Sequence, residues 1–343
     1  DNNVAVGYAA LYSEDGHGRN VAIGKNALYT LNAGSDANTT AVGYEAGLLL
    51  ADGINNTLIG CQTGDALTDG AENVAVGVQA LSSEDNHGQN TAVGMQALRD
   101  LNAGAAGNNV AVGHIAGRLM TLGVNNTLVG ATCGDEITEG SSNTAMGRGA
   151  LGTETHGNGS VAIGQDALNA QVFGSSTTSF NVGVGFSAGA SVTSGQSNTL
   201  MGYEAGKFIS TGAANTFVGS AAGTGITGAK LTGSNNTAVG KGAGEKLQGA
   251  ATNNTLVGKN CGDALTLGND NTAVGRDALT ADTKGGSNVA IGDGALSTQN
   301  FTSATDVFNV AVGRLAGEAN ASGASNTFIG GLAGRNVTGG SNT

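Results

Sequence analysis

Three histidines recur in similar polar loops, and their chemistry makes them the first candidates for a metal site. His17, His87 and His156 lie in the phrases SEDGHG, SEDNHG and TETHG, where carboxylates precede each histidine. Imidazole and carboxylate groups are common metal ligands. Successive copies are four repeats apart along the chain, which is too far for two of them to share an ion. We therefore interpret these segments as solvated surface loops and expect neither a metal nor a cofactor.

Other acidic and nucleophilic residues are abundant, but they belong to the repeat. The stretches GDALTDG, GDEITEG and GDALTLGND resemble calcium loops at first sight, yet they match neither an EF-hand loop nor the calcium-binding nonapeptide roll. No long insertion interrupts the repeat where a catalytic cleft would form. Glycine phrases such as VGVGFSAG lack the strand–helix context of a phosphate loop. We predict that the protein is not an enzyme.

The three cysteines, Cys61, Cys133 and Cys261, do not form a disulfide framework, because they are few, odd in number and far apart in the chain. Cys133 and Cys261 lie three residues after a repeated glycine, where most repeats have Ala. We interpret these two as small buried thiols.

The histidines, acidic residues and cysteines described above all belong to a repeat, and a five-residue phrase that recurs nineteen times marks that repeat. It usually begins with Asn, continues with Val or Thr, then Ala, Leu or Phe, then Val, Ile or Met, and ends in Gly. Most successive glycines are 17 residues apart, and the other intervals are 18, 19 or 21. A fixed period of this length predicts a small unit stacked on copies of itself. The expected fold is an all-β parallel solenoid, or β-roll, of about nineteen turns.

Each residue of the phrase has an expected structural role. Neighbouring side chains of a strand point to opposite faces, so this strand is apolar on both. We place the Val/Ile/Met position, including Val6, Ile23 and Val129, in the interior, and we expect the opposite face to contact another chain. The glycines, including Gly24 and Gly94, should make turns or close backbone approaches. Asparagines such as Asn20 and Asn56 should stack and hold the turn backbone. Four residues after the glycine, Leu and Gly alternate in pairs along the chain.

Extended loops are the best candidates for recognition of a partner. Two of them carry phenylalanine pairs, Phe173 with Phe180 and Phe301 with Phe308, and a shift of 128 residues maps one pair onto the other. Exposed rings would suit a glycan or a cell-surface receptor, whereas inward-facing rings would pack over the loop. We favour inward packing and keep recognition as the alternative.

Composition limits the partners. The net charge is −12, which disfavours binding to nucleic acid. The sequence has no apolar run long enough to span a bilayer, so we expect no membrane contact within this segment. Proline is absent, as suits a continuous hydrogen-bonded ladder. We interpret residues 1–343 as a single continuous repeat array and as a section of a longer fibre.

The phrase in Asn20-Val21-Ala22-Ile23-Gly24 and its copies resembles the head repeat of trimeric autotransporter adhesins of YadA type. It is also similar to the NTAVG-type repeats that precede endosialidase-chaperone domains in phage tail-fibre-like proteins. The resemblance covers the whole chain and implies a left-handed parallel β-roll, three chains around an axis, and an adhesive fibre on a cell or virion surface. The repeat of the adhesin heads is shorter than the repeat of this chain.

Three function classes follow. The first is a structural or adhesive shaft of an extracellular or virion fibre, most simply a homotrimer. The second is an ice-binding solenoid, which requires a flat and regular Thr-rich face. The strand position that would supply that face switches between Thr and Val, as in Thr57 and Val74. The third is part of a carbohydrate-binding phage tailspike.

Overall fold

The computed structural model of the chain describes residues 2–338 and 340. The fold is an all-β parallel solenoid of about 19 turns with about 17 residues per turn, which confirms the predicted fold class. The described residues contain no helix. Each turn contributes one three-residue strand, which we call the motif strand. It covers the three middle residues of the recurring phrase, and the glycine that ends the phrase is the motif glycine.

The chain divides into two compact units, Asp1–Asp166 with Val172–Thr178 and Ala167–Gln171 with Ser179–Thr343. The strands of the first unit are β1 Val4–Val6, β2 Val21–Ile23, β3 Thr40–Val42, β4 Thr57–Ile59, β5 Val74–Val76, β6 Thr91–Val93, β7 Val110–Val112, β8 Thr127–Val129, β9 Thr144–Met146, β10 Gly157–Asn158, β11 Val161–Ile163 and β12 Thr177–Thr178. Those of the second unit are β13 Val182–Val184, β14 Thr199–Met201, β15 Thr216–Val218, β16 Thr237–Val239, β17 Thr255–Val257, β18 Thr272–Val274, β19 Gly285–Gly286, β20 Val289–Ile291, β21 Thr305–Asp306, β22 Val310–Val312 and β23 Thr327–Ile329.

Within each unit the motif strands pair in parallel and in register. Val4, Ala5 and Val6 of β1 pair with the equivalent residues of β2, and Thr199 of β14 pairs with Thr216 of β15. Two short ladders, β10 with β12 and β19 with β21, lie outside the main sheets. Because the register is maintained from turn to turn, equivalent residues form columns, and a property of one repeat position becomes a property of a whole face.

The interior of the solenoid is lined by the middle residue of each motif strand. Ala22, Leu58 and Phe217 are fully buried, together with the other Ala, Leu and Phe residues at this position from β2 onward. The prediction for the Val/Ile/Met position was wrong, because that column points outward. Val6 is 56% exposed, Ile23 is 38% exposed, and Val129 is partly exposed. Both columns are apolar, so alternation alone predicted two faces without deciding which of them is interior.

Large interior residues are matched by glycines, which explains the paired alternation of Leu and Gly. Where the strand carries Leu58, the residues four positions after the motif glycine in the same turn and the preceding turn are Gly64 and Gly47. A Cβ atom on Gly47 would lie 2.8 Å from the Leu58 side chain, and one on Gly64 would lie 2.9 Å from it. Turns with Ala in the strand can carry Leu there instead, as at Leu28 and Leu98. Side-chain volume is thus conserved across the core rather than within one position.

The motif glycines make the close backbone approaches that the sequence predicts. Gly94 has φ +135°, and a Cβ atom built on it would overlap the carbonyl group of Gly113 in the next turn. Gly24 has φ +139°, and its Cβ would overlap the carbonyl of Gly43 in the same way. A side chain at these positions is therefore disfavoured for two reasons: the positive φ suits only glycine, and the Cβ atom would overlap the backbone of the adjacent turn.

The asparagine column forms a buried hydrogen-bonded ladder, as predicted. The backbone N–H of Thr39 donates to Oδ1 of Asn20 at 3.0 Å, and the backbone N–H of Asn73 donates to Oδ1 of Asn56 at 2.9 Å. The side-chain amide of Asn56 donates to the carbonyl of Gly70 at 2.8 Å. Both asparagines are buried. Each such side chain therefore connects its own turn to the next one and satisfies polar groups that cannot reach water.

Candidate functional site

An uncharged surface runs along the outward side of the motif strands, and we call it the outer face. It consists of the first residue of each motif strand, Thr or Val, and the third, Val, Ile or Met. Nineteen strands supply 38 such residues, and none of them is charged. The chain as a whole has a net charge of −12, whereas these two columns carry no charge.

The bulky members of the outer face are open to solvent in both units. The most exposed in the first unit are Val4, Val6, Ile23, Ile59, Val74, Val110, Met146 and Ile163. Those in the second unit are Met201, Val274, Ile291 and Ile329. The other described members are at least partly exposed. The strand is thus apolar on both faces, and only one of those faces is buried within the chain.

The residue after the motif glycine extends the apolar surface in several turns. Tyr8, Tyr44, Val78 and Met95 are exposed there in the first unit. In the second unit, Phe186 and Tyr203 occupy this position in adjacent turns, and their rings stack at 5.6 Å between centroids and 11° between planes. Aromatic side chains of this kind are enriched at protein interfaces.

A run of threonines marks one part of the outer face. In the second unit, the first residue of five consecutive strands is Thr, and these residues pair in register. They are Thr199, Thr216, Thr237, Thr255 and Thr272. The adjacent column of the same strands is Met201 followed by four valines. Elsewhere on the outer face the first position switches irregularly between Thr and Val.

Buried carboxylates that the sequence analysis did not assign organise two of the histidine loops, at Glu84 and Glu154, and the loop at Asp282, which has no histidine. Glu84, Glu154 and Asp282 are fully buried. Each accepts a hydrogen bond from the backbone N–H three residues later, at 3.2, 2.7 and 2.9 Å respectively. Burial raises the pKa of the Glu84 carboxyl, and its backbone hydrogen bonds oppose that rise. The recurrence of an acid three residues before His or Gly was the available signal for this turn.

Two of the histidine loops bring a histidine and two carboxylates close together. The groups are Glu14, Asp15 and His17, and Glu84, Asp85 and His87, and the candidate ligand atoms of each lie within 4.8 Å of one another. His156 differs, because its Nδ1 lies 3.2 Å from the carbonyl oxygen of Phe173. Each cluster lies within a single loop, so the distance between loops does not bear on whether a cluster could hold an ion. Exposed acidic clusters are common without an ion, and the expectation of no metal stays a prediction.

The four loop phenylalanines do not behave alike. Phe173 is buried, as inward packing requires, and Phe301 is partly exposed. Phe180 is 63% exposed and Phe308 is 59% exposed, so the prediction of inward packing is wrong for these two. Both have positive φ, 49° and 57°. These rings remain candidates for recognition.

The two interior cysteines occupy the core position normally held by Ala. Cys133 and Cys261 are fully buried, and their thiols donate to the carbonyl oxygens of Ala145 and Ala273 at 3.3 and 3.2 Å. Burial raises the pKa of each thiol to about 12. Neither is therefore suited to nucleophilic chemistry near neutral pH, which agrees with their interpretation as small buried thiols.

No family model matches this chain, and no curated protein matches it either. The similarity to adhesin and tail-fibre repeats therefore rests on the motif alone. Among residues 2–338 and 340, no helix is long and apolar enough to cross a membrane.

Proposed function

We propose that this chain forms the shaft of an extracellular or virion fibre, in which identical chains associate through the outer face and exposed loops adhere to a surface. The observation that carries the proposal is the outer face itself, a paired column of Val, Ile, Met and Thr without a charged residue. A fibre at a cell or virion surface is also the setting that the motif resemblance implies.

The energetics favour association. Removing a Val, Ile or Met side chain completely from water contributes about 1.5–3 kcal/mol. Each motif strand offers at least one such side chain that the chain itself leaves partly or largely exposed. Soluble monomers rarely expose large contiguous apolar patches. Depletion of charged residues is also typical of the buried centre of a protein interface.

The proposed number of chains is three. A closed cyclic assembly buries the same face of every chain and leaves no open end to grow sideways. The apolar residues on both faces of the strand support association between chains but do not specify how many chains associate. The resemblance to trimeric adhesin heads supplies the number three.

The proposed partners of the fibre are a glycan or a cell-surface receptor, contacted through the longer loops. The net charge of −12 opposes binding to the phosphate backbone of nucleic acids. Exposed rings such as Phe180 and Phe308 supply apolar contacts beyond the solenoid. Repetition of weak contacts along a fibre raises the overall avidity.

Adhesion is tested with beads that carry the full chain, applied to a panel of bacterial and animal cells and compared with beads that carry albumin. The proposal expects saturable attachment that soluble chain competes away. Attachment equal to that of albumin beads on every surface would overturn the adhesive function.

Ice binding is the second candidate, and the in-register run from Thr199 to Thr272 favours it. The hydroxyl and methyl groups of these threonines repeat from one strand to the next at the strand spacing of about 4.8 Å. They lie on a face that points outward. A thermal-hysteresis assay decides between the candidates. Activity that Thr237→Lys abolishes and Thr91→Lys retains would establish ice binding, since Thr91 lies outside the run. Absence of hysteresis in the native chain would exclude it.

A further inference from the structure

One backbone position in the solenoid restricts which side chain it accepts. The residue directly before the asparagine column has positive φ in every turn, from Asn2 to Ser325. Side chains there are almost all polar or small, and in the second unit they include Ser287, Asp270 and Asn253. Such residues tolerate the left-handed conformation best.

Phe308 departs from this pattern in two ways at once. A bulky aromatic residue at φ 57° is unusual, and its side chain is 59% exposed. Neither feature is required by the fold, because Ser287 and Ser325 hold the same position in the preceding and following turns with small polar side chains at a similar φ. An unfavourable local choice of this kind indicates a contact outside the chain.

A small polar groove lies along the segment that leads to Phe308, and Asp306, two residues before Phe308 in the chain, is part of its lining. Its volume is about 180 Å³, and it is lined by Leu267, Asn269, Lys284, Gly286, Ala304, Thr305 and Asp306. Strand β21, which ends two residues before Phe308, pairs in parallel with β19 and forms one wall. The hydroxyl of Ser287 donates to Oδ1 of Asp306 at 2.9 Å, which fixes the carboxylate at the edge of the groove. The backbone N–H of Val307 donates to the carbonyl of Gly286 at 2.9 Å and fixes the segment that carries the ring.

We propose that Phe308 and this groove form a binding subsite for a pyranose saccharide. The negative face of the exposed phenyl ring attracts the C–H groups on one side of a sugar ring. Asp306 accepts hydrogen bonds from hydroxyl groups, Lys284 donates them, and Asn269 does both. The subsite rests on the proposed adhesive function and specifies its ligand.

The dimensions favour a sugar over a protein partner. A stable protein contact buries about 800 Å² on each side around an apolar centre. Here a single ring lies two residues along the chain from Asp306, and Asp306 lines a groove that is largely polar and whose volume suits one small ring. Donors and acceptors lie together in it, which is the arrangement that hydroxyl groups require.

The test begins with the full native chain on an array of immobilised neutral and acidic oligosaccharides. The strongest oligosaccharide is then titrated by calorimetry against the chain carrying Phe180→Ser, so that the second exposed ring contributes nothing. Three further variants are made in that background, namely Phe308→Ser, Asp306→Asn and Ser325→Ala. Phe308→Ser should fold, because Ser occupies the same position in adjacent turns, and circular dichroism verifies this.

We expect Phe308→Ser to weaken saccharide binding at least tenfold, Asp306→Asn to weaken it several-fold, and Ser325→Ala to leave it within twofold. An array without saturable binding, or equal affinity of the Phe308→Ser variant and its background, would overturn the subsite. If Phe308→Ser fails to fold, unchanged affinity of Asp306→Asn overturns it instead. Bead adhesion separates this result from the proposed function: native beads that adhere while the array stays blank refute the subsite alone.

Discussion

Leu128 and Val129 are neighbours on strand β8, yet they belong to different surfaces of the solenoid. Leu128 is fully buried between the glycines that accommodate it, and a Cβ atom on Gly117 would lie 2.9 Å from its side chain. Val129 points away from the core and is partly exposed. Two adjacent apolar residues therefore belong to different surfaces, Leu128 to the core and Val129 to the outer face that we propose as an interface between chains.

The first prediction separates these two roles. Leu128→Asp places a charge in the core and should cost several kcal/mol, with loss of hydrogen-exchange protection in β7, β8 and β9. Damage should stay local, because each turn contacts only its neighbours. Val129→Asp should retain that protection and instead weaken association between chains. Equal loss of exchange protection in both variants would contradict the assignment of the two faces.

The second prediction concerns the motif glycines. Gly94→Val should disrupt its turn, because φ is +135° and any Cβ overlaps the carbonyl of Gly113. We expect a loss of about 3 kcal/mol or more in local stability, measured by hydrogen exchange around β6 and β7. Gly34→Ala is the matched control, since no heavy atom lies within 4 Å of its added Cβ. A Gly94→Val chain as stable as the control would refute the close-approach argument.

Much of this architecture could be predicted from the sequence, and there is a physical reason why the rest could not. The period specified the solenoid, and the repeat positions of Asn56 and Gly94 specified their roles. The interior face was misassigned because Leu128 and Val129 are both apolar, and hydrophobicity alone cannot rank two apolar columns. A usable signal was present: only the Ala/Leu/Phe column varies in size together with the Leu/Gly position. The buried carboxylate of Glu84 was missed because acids are expected at the surface.

The third prediction tests the asparagine ladder. Oδ1 of Asn126 accepts the backbone N–H of Asn143 at 2.9 Å, and its amide donates to the carbonyl of Gly140 at 2.9 Å. Asn126→Ala leaves both buried groups without these bonds, and we expect a cost of about 2–6 kcal/mol, from about 1–3 per group. The measurement is hydrogen exchange of the flanking turns. Asn125→Ser is the control, because Ser142 holds the same exposed position one turn later.

The fourth prediction concerns the thiols. In the native chain at pH 8, Cys61 should react with a maleimide while Cys133 and Cys261 do not, and all three should react after denaturation. Mass spectrometry counts the adducts. Rapid modification of Cys133 without unfolding would contradict its placement in the core.

The same burial predicts an alkaline loss of stability. The pKa of Cys133 rises from about 9 in an exposed thiol to about 12 in the folded chain. Above pH 9 the unfolded chain releases this proton and the folded chain keeps it, so the free energy of unfolding falls as pH rises from about 9 to about 12. Cys133→Ala should reduce this slope at its own turn in a hydrogen-exchange profile against pH.

The central claim is that the outer face is an interface between copies of this chain, and the most direct test is the mass in solution. Multi-angle light scattering on the purified chain at micromolar concentration measures it. One chain has a mass of 33.2 kDa, and three chains should give about 100 kDa. A dimer or tetramer would correct only the number of chains. A stable, soluble species of 33.2 kDa would contradict the interface itself.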